Sequence, residues 1–216
     1  MQAFLFVGRE GTSMVPSTAK NCIVGNVKLK LITLKSAMIG KWKNLKLILI
    51  MGCMLMNVKN LWLTVGNPAC GKSTWVAKNA AYDSAIISRD AIRFSIIDKD
   101  DDYFAKEGEV FKKFVADIQD ALEHHENVYA DATHLNERSR NKLLDALNLK
   151  GVNLYALYFL TPLDVCLERN AKRTGRQCVP EDALKRMYFS ITDPAHDKKY
   201  KFKVKYINEN GESIRG

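Results

Sequence analysis

Residues Gly66 to Thr74 read Gly-Asn-Pro-Ala-Cys-Gly-Lys-Ser-Thr, the spacing G-x-x-x-x-G-K-[ST] of a loop that cradles phosphate. The apolar run Leu61-Trp62-Leu63-Thr64-Val65 precedes it and helix-forming residues follow, which is the strand–loop–helix context this chemistry requires. Successive backbone N–H groups and a helix N-terminus together form a concave positive site for phosphate oxygens. Gly66, Ala69, Cys70 and Gly71 contribute backbone to that cradle, Lys72 reaches the outer phosphates, Ser73 is placed to ligate Mg²⁺, and Thr74 completes the loop. A glycine-bearing turn without a ligand is the competing reading; the Lys-Ser-Thr tail argues against it.

In an open parallel sheet the ligand lies beyond the carboxyl ends of the strands, so polar residues just after each strand are the next to weigh. Ser88-Arg89-Asp90-Ala91-Ile92-Arg93 follows the second strand, and Asp90 and Arg93 share one face of a helix start. A carboxylate there can accept the proton of an attacking hydroxyl, and the arginine can hold a phosphate of the acceptor bidentately. Asp90 is equally suited to capping a helix. Asp131-Ala132-Thr133-His134-Leu135-Asn136 follows the third strand. Asp131 can hold Mg²⁺ through water or, with Thr133, contact substrate; the alternative is a turn held by the Asp and Thr side chains. His134 reads as a positioning or loop residue, because no second ligand is spaced to join it. The segment from Arg169 through Lys172, Arg173 and Arg176 to Pro180 ends one helix and starts another, and reads as a lid whose arginines cancel charge on a transferred phosphoryl group. A solvated charged face is its plainer reading.

The elements that position these residues alternate as a parallel sheet demands. Strands are expected at 60–65, 85–88, 127–132, 153–160 and 202–207, the last as an edge strand alternating in lysine. Helices are expected at 72–81, 108–124, 136–149, 162–174 and 180–191. In the second of these, Val110, Phe111, Phe114, Val115, Ile118, Ala121 and Leu122 recur at three- and four-residue spacing and form a core stripe. His124-His125 falls at that helix's C-terminus, where cationic character is favourable.

The 216 residues carry a net charge of +9, unevenly spread. Residues 1–55 hold eight Lys/Arg against one acid, whereas residues 56–216 hold 25 against 23. The expected division is therefore a basic extension over 1–55 and a catalytic domain over 56–216. Met56, Met51 or Met54 is the expected true start, with a basic nucleic-acid-binding arm as the rival reading of the extension. Intact mass of the natively expressed protein separates the two. Cys22, Cys53, Cys70, Cys166 and Cys178 form no C-x-x-C pair and read as reduced thiols, and the apolar run 47–58 is too short for a bilayer that needs roughly 20 residues. The expected location is cytoplasmic, with no membrane partner.

These segments, in this order, resemble the phosphate-loop kinases typified by the kinase domain of phage 5′-polynucleotide kinase and by bacterial RNA-repair kinases. The quoted matches are Gly66 through Trp75, Arg89-Asp90-x-x-Arg93, Asp131 through Asn136, and Arg169-Asn170-x-x-Arg173 through Val179-Pro180 to Arg186-Met187-Tyr188. The resemblance implies an α/β, three-layer P-loop NTPase fold like that of adenylate kinase, with a parallel sheet of four to five strands flanked by helices and a helical lid bearing arginines. It implies ATP and Mg²⁺ handled by Lys72 and Ser73, with Asp90 as general base toward a 5′-hydroxyl of DNA or RNA. It further implies Arg93 on the acceptor phosphate and Arg173, with Arg169, on the donor phosphates. Ala69 and Cys70 stand where that family usually has Gly-Ser, so a backbone position suited to unusual φ carries a Cβ. A small-molecule kinase of the same fold and an NTP-binding regulatory or toxin-like module are the competing functions.

Overall fold

β1 (Lys59–Val65) owes its central place to apolar side chains on both faces, and the rest of the sheet grows outward from it. The computed structural model describes residues 58–98 and 101–214; the expected basic extension and the candidate starts at Met51, Met54 and Met56 lie outside the described residues. After β1 come α1 (Lys72–Asn79), β2 (Ser84–Ser88), α2 (Arg89–Ile96) and α3 (Glu107–His124). Then follow β3 (Asn127–Asp131), α4 (Glu137–Leu144), β4 (Val152–Phe159), α5 (Leu163–Ala171) and α6 (Glu181–Phe189), and the described chain ends with β5 (Lys203–Ile207) and β6 (Ser213–Ile214).

The six strands lie in the order β2-β3-β1-β4-β5-β6. The first five are parallel, with Leu61 opposite Val128 and Leu154, and Leu63 opposite Ala130 and Ala156. β6 adds an antiparallel pair, Tyr206 with Ile214 and Ile207 with Ser213. The expected edge position of β5 is corrected at its end alone: a two-residue strand, too short to show any periodicity, covers Tyr206 and Ile207, while residues 203–205 keep an open edge among the described residues.

Alternation along the strands feeds two cores. On one face Leu61, Leu63, Val128 and Ala130 meet the α3 stripe (Val110, Phe114, Ile118, Ala121, Leu122) and Leu143 and Leu144 of α4. On the other, Tyr129, Leu157, Phe159 and Ile207 meet Val76 of α1, Cys166 of α5 and Leu184 of α6. Full burial of one such side chain contributes about 1.5–3 kcal/mol, so α3, with Phe114 and Ile118 fully buried, is the principal clamp on its face. α4 stops five residues earlier than expected because Ala146 N turns back to Leu143 O and Leu147 N to Leu144 O. Among the described residues no helix is long and apolar enough to cross a membrane.

Candidate active site

β1 delivers the chain into the phosphate loop at Gly66, whose N–H donates to Thr133 O at 3.1 Å. A Cβ at Gly66 would stand 2.8 Å from Cys70 Sγ and 3.1 Å from Phe159 Cβ, so this closure admits only glycine. Ala69 lies at φ 63°, the left-handed region that the sequence comparison with Gly-Ser loops anticipated. Gly71, at φ 99°, caps α1 with backbone alone, and the first turn of α1 holds no acid. The helix therefore offers its N–H groups and positive end to an anion without a side-chain competitor. Lys72 is buried, its Nζ donating to Asn67 O at 2.6 Å and Gly66 O at 3.1 Å, with Cys70 Sγ 3.6 Å away. Ser73 and Thr74 are exposed at the mouth. Asn67 is buried, its side-chain amide beside the Cys166 thiol and without a close hydrogen bond among the described residues. The loop N–H groups at the start of α1, together with a Lys72 ammonium held here by two backbone carbonyls, fit the phosphates of ATP, and the exposed Ser73 hydroxyl fits a Mg²⁺ ion held partly by those phosphates.

Beyond β2, Ser88 rather than Asp90 caps α2, its Oγ accepting from Ala91 N. Asp90 is thus free of the capping role. Its Oδ1 accepts from Arg93 Nη1 at 2.5 Å and from Tyr103 Oη at 2.9 Å, while the side chain is 67% exposed. Arg93 is buried: Nη2 donates to Glu107 Oε2 at 2.7 Å, Nη1 also donates to Tyr103 Oη at 2.8 Å, and the guanidinium lies 4.4 Å from the Tyr103 ring centre. Arg89 forms the second ion pair on Glu107 and packs over Phe111 and Phe114. Burial works against the charge on Arg93, but Glu107, Tyr103 and Asp90 outweigh it and raise its pKa. Burial likewise opposes ionisation of Glu107, and the two arginines overcome it, holding the carboxyl below its ordinary range. Burial and then the Asp90 charge push the Tyr103 phenol up to about 12, so it remains a donor. Tyr103 and Glu107 escaped the sequence reading because they come from other elements; the only signal was the acidic first turn of α3.

At the end of β3, Asp131 is buried, its Oδ1 3.3 Å from Thr64 Oγ1. Thr64 Oγ1 also donates to Ala132 O at 2.7 Å, so β1 and the β3 loop are stitched just below the phosphate cradle. Thr133 joins the site through its carbonyl, bound by Gly66 N. His134 is buried in the loop at φ 39°, with Nδ1 donating to Thr64 O at 2.9 Å and Nε2 without a partner among the described residues. Burial, with Arg89, Arg140 and Lys72 nearby, lowers its pKa to about 4, against the pull of the Thr64 carbonyl. Arg140, also missed from sequence, anchors this loop by donating to His134 O at 2.9 Å and bidentately to Asp197 at 2.6 and 2.5 Å.

The segment between α5 and α6 has a base formed by Asn170, whose amide donates to Val179 O at 2.7 Å and accepts from Val179 N at 3.0 Å. Arg169 Nη2 donates to Glu209 O at 2.9 Å, and a Cβ on Gly71 would lie 3.7 Å from its Nη1, which places this arginine beside the phosphate loop. Arg173 turns back onto Gln177 O at 3.4 Å, and Arg176 reaches across to Asp98 O at 2.5 Å and Asp101 O at 2.9 Å. The structure thus brings Asp131, Thr133 and Arg169 beside the phosphate loop and joins Asp90 to Arg93, while Arg173 points along the lid.

A mostly parallel, helix-flanked sheet with a phosphate loop after its central strand, a carboxylate after the next and arginines between two late helices is the P-loop kinase fold. The chain belongs to the AAA domain family, whose model matches residues 61–194, more than half of its length. Among solved structures it is similar to a chain of the Pnkp1/Rnl/Hen1 RNA repair complex, at TM-score 0.54 and 22% identity, over 62% of this chain and 44% of that one. The protein thus spans less than half the length of that chain. It is also similar to a gluconokinase from Sinorhizobium meliloti 1021 (TM-score 0.48, 20% identity, 70% and 83% covered) and to a tunicamycin resistance protein of Deinococcus radiodurans (0.47, 14%, 65% and 88%). At these identities the likeness is one of fold. No curated protein matches the chain.

Proposed function

We propose that this protein transfers the γ-phosphate of ATP to the 5′-hydroxyl end of DNA or RNA. The observation that carries the reading is Asp90: a carboxylate with one oxygen fixed by two donors and most of its surface open, beyond β2 of a sheet whose phosphate loop follows β1. The loop N–H groups and Lys72 bind the donor phosphates, Lys72 exchanging the carbonyls of Gly66 and Asn67 for phosphate oxygens. Ser73, with Asp131 through water, would hold Mg²⁺, which when bound neutralises charge on the β- and γ-phosphates. Asp90 Oδ2, which meets no donor among the described residues, takes the proton of the attacking hydroxyl. The acceptor oxygen bonds to the γ-phosphorus as the bond to the bridging oxygen breaks and ADP leaves. Arg169, beside the loop, cancels charge on the transferred group, and Arg173 would join it by leaving Gln177 O. The resemblance puts Arg93 on the 3′-side phosphate of the acceptor, a contact for which it would exchange one of its present partners.

A second reading, a kinase for a small hydroxyl-bearing molecule, is favoured by one observation: both terminal nitrogens of Arg93 are engaged by Asp90, Tyr103 and Glu107 and the side chain is buried. Transfer of labelled γ-phosphate to a single-stranded 5′-hydroxyl oligonucleotide separates the two. Wild type is expected to label the oligonucleotide and Asp90→Asn to fail while binding ATP as before. No transfer by wild type that binds ATP would sink the polynucleotide reading, and transfer to a sugar or nucleoside instead would establish the second. ATP binding with no transfer to any acceptor would mark a regulatory module.

A further inference from the structure

Two large apolar rings stand in water beside Asp90. Phe104 is 63% exposed and Phe94 38%. Isolated exposed apolar residues are ordinary, but these two are joined through Tyr103. The Phe94 and Tyr103 rings meet edge to face at 6.2 Å, and Tyr103 and Phe104 at 4.8 Å. Tyr103 in turn donates to Asp90, and the Arg93 guanidinium that also holds Asp90 lies 5.8 Å from the Phe104 ring centre. The contacts that aim the carboxylate therefore also aim the exposed ring.

The surrounding chain narrows what can lie on it. Asp101 and Asp102 share the segment with Phe104, and Asp102 Oδ1 accepts from Phe104 N at 2.8 Å. Asp102 is thus tied into its own turn and Asp101 is paired with Lys106 at 3.7 Å, so what this turn offers a ligand is the uncharged Phe104 ring. The surface suits a flat neutral ring attached close to the hydroxyl that meets Asp90. A nucleoside has this arrangement, with its base and its 5′-hydroxyl on one sugar. Base stacking on an aromatic face requires no hydrogen-bond readout and tolerates any base.

We propose that Phe104, flanked by Phe94, is the stacking platform for the base of the nucleotide that carries the 5′-hydroxyl, so that the enzyme requires a base there but does not choose among bases. The inference rests on the polynucleotide reading. It is tested with two single-stranded oligonucleotides that share the 5′-hydroxyl and every phosphate but differ at the first nucleotide, one bearing a base and one abasic. For wild type, kcat/KM on the abasic acceptor is expected to fall about ten-fold, the lower end of what one stacked base contributes. In Phe104→Ala the ratio between the two acceptors should collapse toward one, and in Phe104→Trp it should persist, with unchanged thermal midpoints showing both variants folded. Equal use of the two acceptors by wild type, or a ratio that survives Phe104→Ala, overturns the platform while leaving the polynucleotide reading intact. Failure of wild type to phosphorylate either oligonucleotide overturns both.

Discussion

Both donors to Asp90 meet the same oxygen, and that asymmetry decides what a substitution at Tyr103 should do. Tyr103→Phe keeps the ring under Phe94 and Phe104 but removes the hydroxyl that donates to Asp90 and accepts from Arg93. A hydrogen bond to a charged group contributes roughly 1.5–3 kcal/mol, so a kcat loss of about ten-fold with the KM for ATP unchanged is expected; an unaltered kcat would remove Tyr103 from the orientation of Asp90. His134 gives a pH prediction. Its folded pKa, about 4, lies below the ordinary 6.5, so as pH falls through this interval the unfolded chain takes up the proton first. Stability that is fully present above the ordinary value is lost toward pH 4, by about 3 kcal/mol from this group. His134→Asn tolerates the left-handed backbone and does not titrate; urea unfolding at pH 7 and pH 4 should show the variant losing less than wild type, and equal losses would show that His134 takes no part. Asp90 and Arg93 were legible in sequence because three-residue spacing on a helix start forces them together. Tyr103 was not, since only the folded loop brings it back to them.

At the scale of elements, what the chain announces depends on length. α3 repeats its apolar stripe over 18 residues, and the structure buries Val110, Phe114, Ile118, Ala121 and Leu122 of it and packs Phe111 and Val115 half-buried against the same core. α2 spans eight residues and showed only its start, and β6 spans two and showed nothing. The lid was legible as a run of arginines, but what closes its base is Asn170, the neutral residue between them. Asn170→Ala leaves Val179 N and O without their partner, at a cost of roughly 1–3 kcal/mol for the unsatisfied groups. Amide exchange at Val179 should then accelerate by a matching factor, while exchange at Leu63 in the central strand stays as in wild type. Acceleration at both positions would make Asn170 a determinant of global rather than local stability.

Across the whole molecule the tie of longest consequence is one that no local pattern marks. Arg140 on α4 is fully buried and pairs with Asp197, 57 residues later, while also holding Thr192 Oγ1 and His134 O. It binds three stretches of chain: the loop after β3 that flanks the phosphate cradle, the segment after α6, and the approach to β5. The alternation of strands and helices made the layers and the positions of the site loops readable. Arg140 and Asp197 are two charges in a chain rich in charge, and hydropathy assigns both to the surface. Arg140→Met leaves the Asp197 carboxylate buried without a partner, which should lower the unfolding free energy by roughly 3–5 kcal/mol. That is a large share of the roughly 5–15 kcal/mol typical of a native protein. The double substitution Arg140→Met with Asp197→Leu removes both charges and should recover most of the loss, because the penalty lies in the orphaned charge rather than in the missing bond. Urea unfolding of the three proteins decides it. A single variant that costs under about 1 kcal/mol would show the carboxylate finding water, and a double variant no better than the single would place the stabilisation in the Thr192 and His134 contacts instead.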